Sequence, residues 1–184
     1  ISHQTKTPIS TILLYTQLLR ERSGLDEEMQ TMLKLVESQT EKLSFLIQSL
    51  VKTSRLETGI VVVQPRESQL KLLLCDVQMQ YQAAAEKKGV TLMWEAEEGL
   101  SARFDPKWTQ EALGNLVDNA IKYTPSGGAV QVVAVAYEMF VRVDVKDTGI
   151  GIEEQEYAQI FSRFYRSPAV AQEPGVGIGL YLAR

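Results

Sequence analysis

Hydrophobic positions follow two different rhythms along the chain. Residues 1–58 keep a helical rhythm almost throughout, broken once at RSGLDEE, where Ser23 and Gly24 can stop one helix and Asp26 can start the next. In the second arm Met29, Leu33, Val36, Thr40, Leu43, Ile47 and Leu50 recur at alternating spacings of four and three, the seam of a coiled coil or bundle. Met32, Leu35, Phe45 and Leu46 widen that stripe beyond what one short partner arm can cover. The pattern therefore predicts a helical hairpin that pairs with a second copy into a dimeric four-helix bundle.

Beyond Thr58 and Gly59 the rhythm changes to mixed helix and strand, so residues 1–58 and 59–184 read as two domains. Residues 60–63 predict a short strand, 67–88 a helix ended by Gly89, and 90–96 and 102–104 two more strands. Asp105 and Pro106 open a helix that runs to about Tyr123, because aspartate accepts free amides and proline suits the first turn. Residues 130–137 and 140–147 form the clearest hairpin. Helices on one face of a mixed sheet is the architecture these elements predict.

Composition narrows the function more than the fold. The 184 residues are 45% hydrophobic, and their net charge of -4 offers no basic footprint for nucleic acid or anionic lipid. Cys75 is the sole cysteine, fits a reducing compartment, and in KLLLCD reads as a small core residue. No apolar run approaches the ~20 residues of a membrane span, and no signal peptide opens the chain. The one histidine, His3, heads a polar run closed by Pro8, with Gln4 as its neighbour.

Three stretches of the second half carry candidate chemistry. In NLVDNAIKY, Asn115, Asn119 and Lys122 are spaced four and three apart on one helical stripe, with Leu113, Leu116, Val117 and Ala120 opposite. An amide oxygen suits Mg²⁺, and a lysine can hold the phosphates that the metal bridges. A solvated polar face would show the same letters. In VRVDVKDTGIGI, strand alternation puts Asp147 on the side of Val141, Val143 and Val145. That predicts a buried carboxylate in need of a donor, for which the exocyclic amine of a purine would serve. Gly149 and Gly151 would let the backbone approach a flat base; an ordinary Asp-Gly turn is the plainer reading.

In PGVGIGLYL, Gly175, Gly177 and Gly179 alternate ahead of a helix start, whose free amides suit phosphate. The spacing is not GxGxxG and no strand precedes it, which argues against a dinucleotide-binding βαβ unit. Between these stretches EYAQIFSRFYRSPAVAQE reads as a mobile flap beside the phosphate site, or as a surface loop.

Taken in order, the stretches resemble the sensor histidine kinases of two-component signalling. SHQTKTPIS resembles the phosphoacceptor box, NLVDNAIKYTPSGG the N box, DTGIGI the G1 box, IFSRFYRS the F box and GVGIGL, ending at Leu180, the G2 box. The resemblance implies a homodimeric helical hairpin followed by a Bergerat-type α/β sandwich that binds ATP and Mg²⁺. His3 matches the histidine whose Nε2 takes the γ-phosphoryl group, and Thr7 the residue that positions water in regulator dephosphorylation. Asn119 matches the Mg²⁺ ligand with Asn115 beside it, Lys122 and Arg166 phosphate contacts, and Tyr123 a ring beside the adenine. Asp147 matches the acceptor of the adenine amine, Gly149 and Gly151 the base-binding turn, and Gly175, Gly177 and Gly179 the lid hinge, with Leu180 of the same box among the cofactor-binding residues.

The resemblance also implies a response-regulator partner. It implies sensor and membrane segments upstream, a last helix and strands continuing past Arg184, and hence the cytoplasmic portion of a bacterial inner-membrane receptor. One departure stands beside His3. The family usually has Glu or Asp where this chain has Gln4, and an amide can orient an imidazole but cannot take its proton at neutral pH. Two other classes stay open: a gyrase-like or chaperone-like ATPase, which usually has a glutamate where Asn115 stands, and a kinase-inactive dimeric scaffold.

Overall fold

The structure is a computed structural model that describes residues 2–21, 26–171, 173 and 175–184, with side chains from Thr7 onward. The chain divides into two compact units, Ile1–Val62 and Val63–Arg184.

The first unit is a helical hairpin of α1 (Ser2–Arg20) and α2 (Glu27–Glu57). Asp26 caps α2 as its sequence predicts, its Oδ1 accepting from Met29 N at 2.7 Å, with Glu27 and Glu28 in the first turn. Ser23 and Gly24 lie outside the described residues. Arg20 of α1 pairs with Glu37 of α2, and Gln17 Nε2 lies 3.5 Å from the same carboxylate.

Among the described residues of this unit the buried ones are Ile9 and the hydroxyl-bearing Thr16, Thr40, Ser49 and Thr53. Thr16 and Thr40 satisfy their hydroxyls on the carbonyls of Ile12 and Val36, at 2.8 and 2.7 Å. Of the predicted seam Thr40 alone is buried, Leu33 and Ile47 are half-buried, and Met29, Val36, Leu43 and Leu50 are exposed. The hairpin thus closes largely on small hydroxyl-bearing side chains and leaves most of the large apolar side chains of the seam exposed.

In the second unit β1 (Arg66–Gln69) pairs antiparallel with β3 (Ser101–Phe104). A three-stranded sheet has the order β2 (Thr91–Ala96), β4 (Ala129–Ala136), β5 (Val141–Asp147), with β2 parallel and β5 antiparallel to β4. Helices α3 (Leu70–Lys88) and α4 (Pro106–Tyr123) pack with this sheet around one core. Its centre is Leu73, Leu74 and Val77 of α3, Leu113, Val117 and Ile121 of α4, and Val130, Val132 and Ala134 of β4. A short α5 (Gly179–Ala183) packs against α4.

Three expectations need correction. Residues 60–63 form no strand: Ile60, Val62 and Val63 are exposed and lack a pairing partner, whereas 66–69 meet β3. The helix expected from 67 therefore begins at Leu70. Cys75 is exposed, because the buried stripe of α3 around it is Leu70, Leu73, Leu74 and Val77, and the residue after Leu74 turns about 100° away from that stripe. Among the described residues no helix is long and apolar enough to cross a membrane.

Candidate nucleotide site

The candidate site is built on α4, and α4 is fixed at both ends. At its start one oxygen of Asp105 accepts from Lys107 N and Trp108 N, at 3.0 and 3.3 Å, and the other from Gln64 N at 2.8 Å. These amides, that of Gln64 foremost, hold the carboxyl below the usual range. At its end Tyr123 O accepts from Ile150 N at 3.3 Å, and Lys88 Nζ donates to Ile121 O at 2.9 Å and to Lys122 O.

With Leu113, Val117, Ala120 and Ile121 buried, the opposite stripe presents Asn115, Asn119 and Lys122. The glycine-rich segment comes to that stripe. A Cβ added to Gly179, the first residue of α5, would stand 3.6 Å from Asn115 Oδ1 and 3.7 Å from Asn119 Nδ2. One added to Gly175 would stand 2.7 Å from Lys122 Nζ, which itself lies 4.8 Å from the centre of the Tyr123 ring. Leu180 follows Gly179 in α5. Two amides and an ammonium thus converge on a stretch of bare backbone.

Gly177 has a different task. Its φ of 74° and its contact with Phe164 and Tyr165, where a Cβ would come within 2.3 Å of Tyr165 O, lock the glycine segment onto the preceding loop. Phe164 is the one described non-glycine residue at positive φ, 61°. That loop is tied internally: Tyr165 Oη donates to Glu156 at 2.7 Å, and Arg166 donates to Val170 O at 2.7 Å and to Glu173 O. The guanidinium of Arg166 therefore serves carbonyls of its own loop.

The turn after β5 lies against the end of α4. A Cβ on Gly149 would stand 2.7 Å from both Tyr123 O and Asp147 Oδ1, while around Gly151 there is open space. Asp147 corrects the expectation of a buried carboxylate. It is exposed, because strand alternation ends at the last residue of β5 and the side chain folds forward to accept from Gly149 N at 2.8 Å.

Of the first-unit residues, Thr7 is exposed on α1. His3 and Gln4 fall in the first turns of that helix, and their side chains lie outside the described residues. Sequence reasoning missed Lys88, whose signal was a lysine at the last position before a helix-ending glycine. It also missed Asp118. This residue keeps an open flank, yet crowding of its carboxylate raises the pKa, with Lys122 opposing the rise. Tyr81 is raised too, by burial and by the charge of Asp118.

The residues present fit a metal-bound nucleotide. Asn115 Nδ2 is buried with no hydrogen-bond partner among the described residues, which leaves one amide donor of the stripe unsatisfied without a ligand group. The amide oxygens of Asn115 and Asn119 are the hard donors that Mg²⁺ prefers.

Residues 104–184 match the family model of the histidine kinase-, DNA gyrase B- and HSP90-like ATPases, and residues 1–59 match that of the His Kinase A phospho-acceptor domain. Sensor protein SphS of Synechococcus elongatus is 33% identical, aligned over 100% of this chain and 46% of that protein. Sensor protein DivL of Caulobacter vibrioides is 31% identical over 100% of this chain and 24% of its own length. The chain thus spans less than half of either curated relative. The crystal structure of full-length ShkA in complex with AMPPNP superimposes with a TM-score of 0.80 at 26% identity, covering 98% of this chain and 38% of that one. A phospho-acceptor segment followed by a histidine-kinase-type ATPase domain, in one chain aligned end to end with sensor proteins, places it in a single family: the chain belongs to the sensor histidine kinases.

Proposed function

We propose that residues 1–58 are the dimerisation and phosphoacceptor domain, and residues 59–184 the ATP-binding domain, of an ATP-dependent protein histidine kinase. The observation that carries the reading is the meeting of Asn115 and Asn119 with Gly179, and of Lys122 with Gly175. Asparagine amides, an ammonium and bare glycine backbone are together a receptor for a metal-bound polyphosphate.

In this reading Asn119, with Asn115 beside it, holds Mg²⁺, which when bound neutralises charge on the phosphates. Lys122 draws the phosphate chain to the end of α4, and Arg166 joins it when it leaves its loop carbonyls. The Tyr123 ring lies along the adenine, Asp147 accepts from the adenine amine, and Gly149 and Gly151 give the base room. Nε2 of His3 attacks the γ-phosphorus; the phosphorus–nitrogen bond forms as the bond to the bridging oxygen breaks, and ADP leaves with that electron pair. Positioning and charge neutralisation supply most of the rate in such a transfer. The phosphoryl group then passes to an aspartate of a response regulator, and Thr7, one turn after His3, positions water for the reverse role as regulator phosphatase.

The exposed apolar side chains of α1 and α2 support pairing of two hairpins into a bundle. That both relatives are sensor proteins supports a place at the cytoplasmic side of a membrane receptor.

Incubating the chain with γ-labelled ATP and Mg²⁺ tests the reading. Label that survives base and is lost in acid supports it. Rapid hydrolysis without label would favour a gyrase-like or chaperone-like ATPase, and failure to bind a non-hydrolysable analogue would favour a dimeric scaffold.

A further inference from the structure

We infer that Lys88 is a positioning residue for this site, holding the last turn of α4 so that Lys122 meets the phosphates; the inference rests on the nucleotide reading above. The last carbonyls of a helix have no donor within the helix. At the end of α4, Tyr123 O takes Ile150 N, while Ile121 O and Lys122 O share one ammonium, Lys88 Nζ. The bonds cross from the last residue of α3 to the last turn of α4.

The anchor itself is fixed. Gly89 caps α3 in the left-handed region at φ 73°, and its carbonyl accepts from Gly127 N at 2.7 Å, so the segment leaving α4 is tied to the same point. Lys88 is half-buried, which commits its donors to these carbonyls, and its charge sits at the negative end of the α4 dipole. The two lysines of this corner divide the work. Lys88 bonds the main chain of Lys122, while the side chain of Lys122 reaches over the Tyr123 ring to the glycine segment. A cation that orients another cation through its backbone affects ligand affinity only through that second cation.

A double-mutant cycle on the whole chain tests this, with Mg²⁺ and AMPPNP as the probe and thermal unfolding recorded for each protein. Lys88→Met is expected to weaken binding about tenfold, as for loss of a charged hydrogen bond, and to change it less than about twofold when Lys122 is already Met. Lys88→Arg, which keeps charge and donors, is expected to restore most of the affinity. An equal loss in both Lys122 backgrounds, or no loss in either, overturns the inference while leaving the nucleotide reading in place. Should Lys88→Met fail to fold, Lys88→Gln takes its place; failure of both makes Lys88 a structural cap and overturns the inference. A wild type that does not bind AMPPNP overturns the reading and the inference together.

Discussion

Gly149 lies against the carbonyl of Tyr123 so closely that an added Cβ would stand 2.7 Å from that oxygen. The same carbonyl accepts from Ile150 N, so the turn after β5 and the end of α4 form one unit. The contact is with backbone, which cannot rotate aside. Gly149→Ala is expected to cost about 1–3 kcal/mol of stability, the usual range for overpacking. It is also expected to weaken AMPPNP binding, because Tyr123 and Asp147 separate. Urea unfolding with a binding titration checks both; an alanine variant of wild-type stability would show that the contact is slack.

Asp118 and Asp105 predict opposite pH dependences. The folded pKa of Asp118 lies above its unfolded value, through desolvation, so the folded state holds that proton more tightly. Its contribution worsens as pH rises from the unfolded carboxylate range through the raised value, and stays unfavourable above it. Asp118→Asn is therefore expected to be more stable than wild type at pH 7 and to lose that advantage in acid. The folded pKa of Asp105 is lowered by the amides of Gln64, Trp108 and Lys107, so its contribution is present above the unfolded value and lost as pH falls through the folded one. Asp105→Asn should be less stable than wild type at pH 7 and converge with it in acid. Unfolding curves from pH 3 to 8 measure both signs.

On α2, Leu35 and Phe45 are 60% and 56% exposed in the single hairpin. Burying a large apolar side chain contributes about 1.5–3 kcal/mol, and a carboxylate in its place must stay in water. Leu35→Asp with Phe45→Asp is expected to shift sedimentation from dimer to monomer while retaining helical circular dichroism. Monomeric wild type at micromolar concentration would refute the four-helix bundle.

Gln4 makes a kinetic prediction. A carboxylate beside His3 can accept the imidazole proton as the other nitrogen attacks phosphorus, and an amide cannot. Gln4→Glu is expected to raise the initial rate of autophosphorylation, by up to the ~100-fold at the lower end of general-base effects, at unchanged AMPPNP affinity. An unchanged rate would mean that proton removal does not limit this chain.

What could be read in advance was local. The caps by Asp26 and Asp105 are bonds to amides two or three residues away, and the stripe of Asn115, Asn119 and Lys122 needs only helical periodicity. The misreadings involve partners distant in sequence or a local bond that overrides a period. The valines at 61–63 have strand propensity but no strand to pair with, whereas RESQ, with none, becomes β1 through its register with Phe104 and Ser101. Asp147 obeys alternation until Gly149 N recruits its side chain. Lys88 meets Ile121 and Lys122 across more than thirty residues, a contact that no period encodes.

The central claim is that the nucleotide site on α4 serves His3. Its most direct test is label from γ-labelled ATP in wild type and His3→Gln, with AMPPNP affinity measured on both. The account predicts acid-labile label on the wild type, none on His3→Gln, and equal affinity; label that persists on the variant would contradict it.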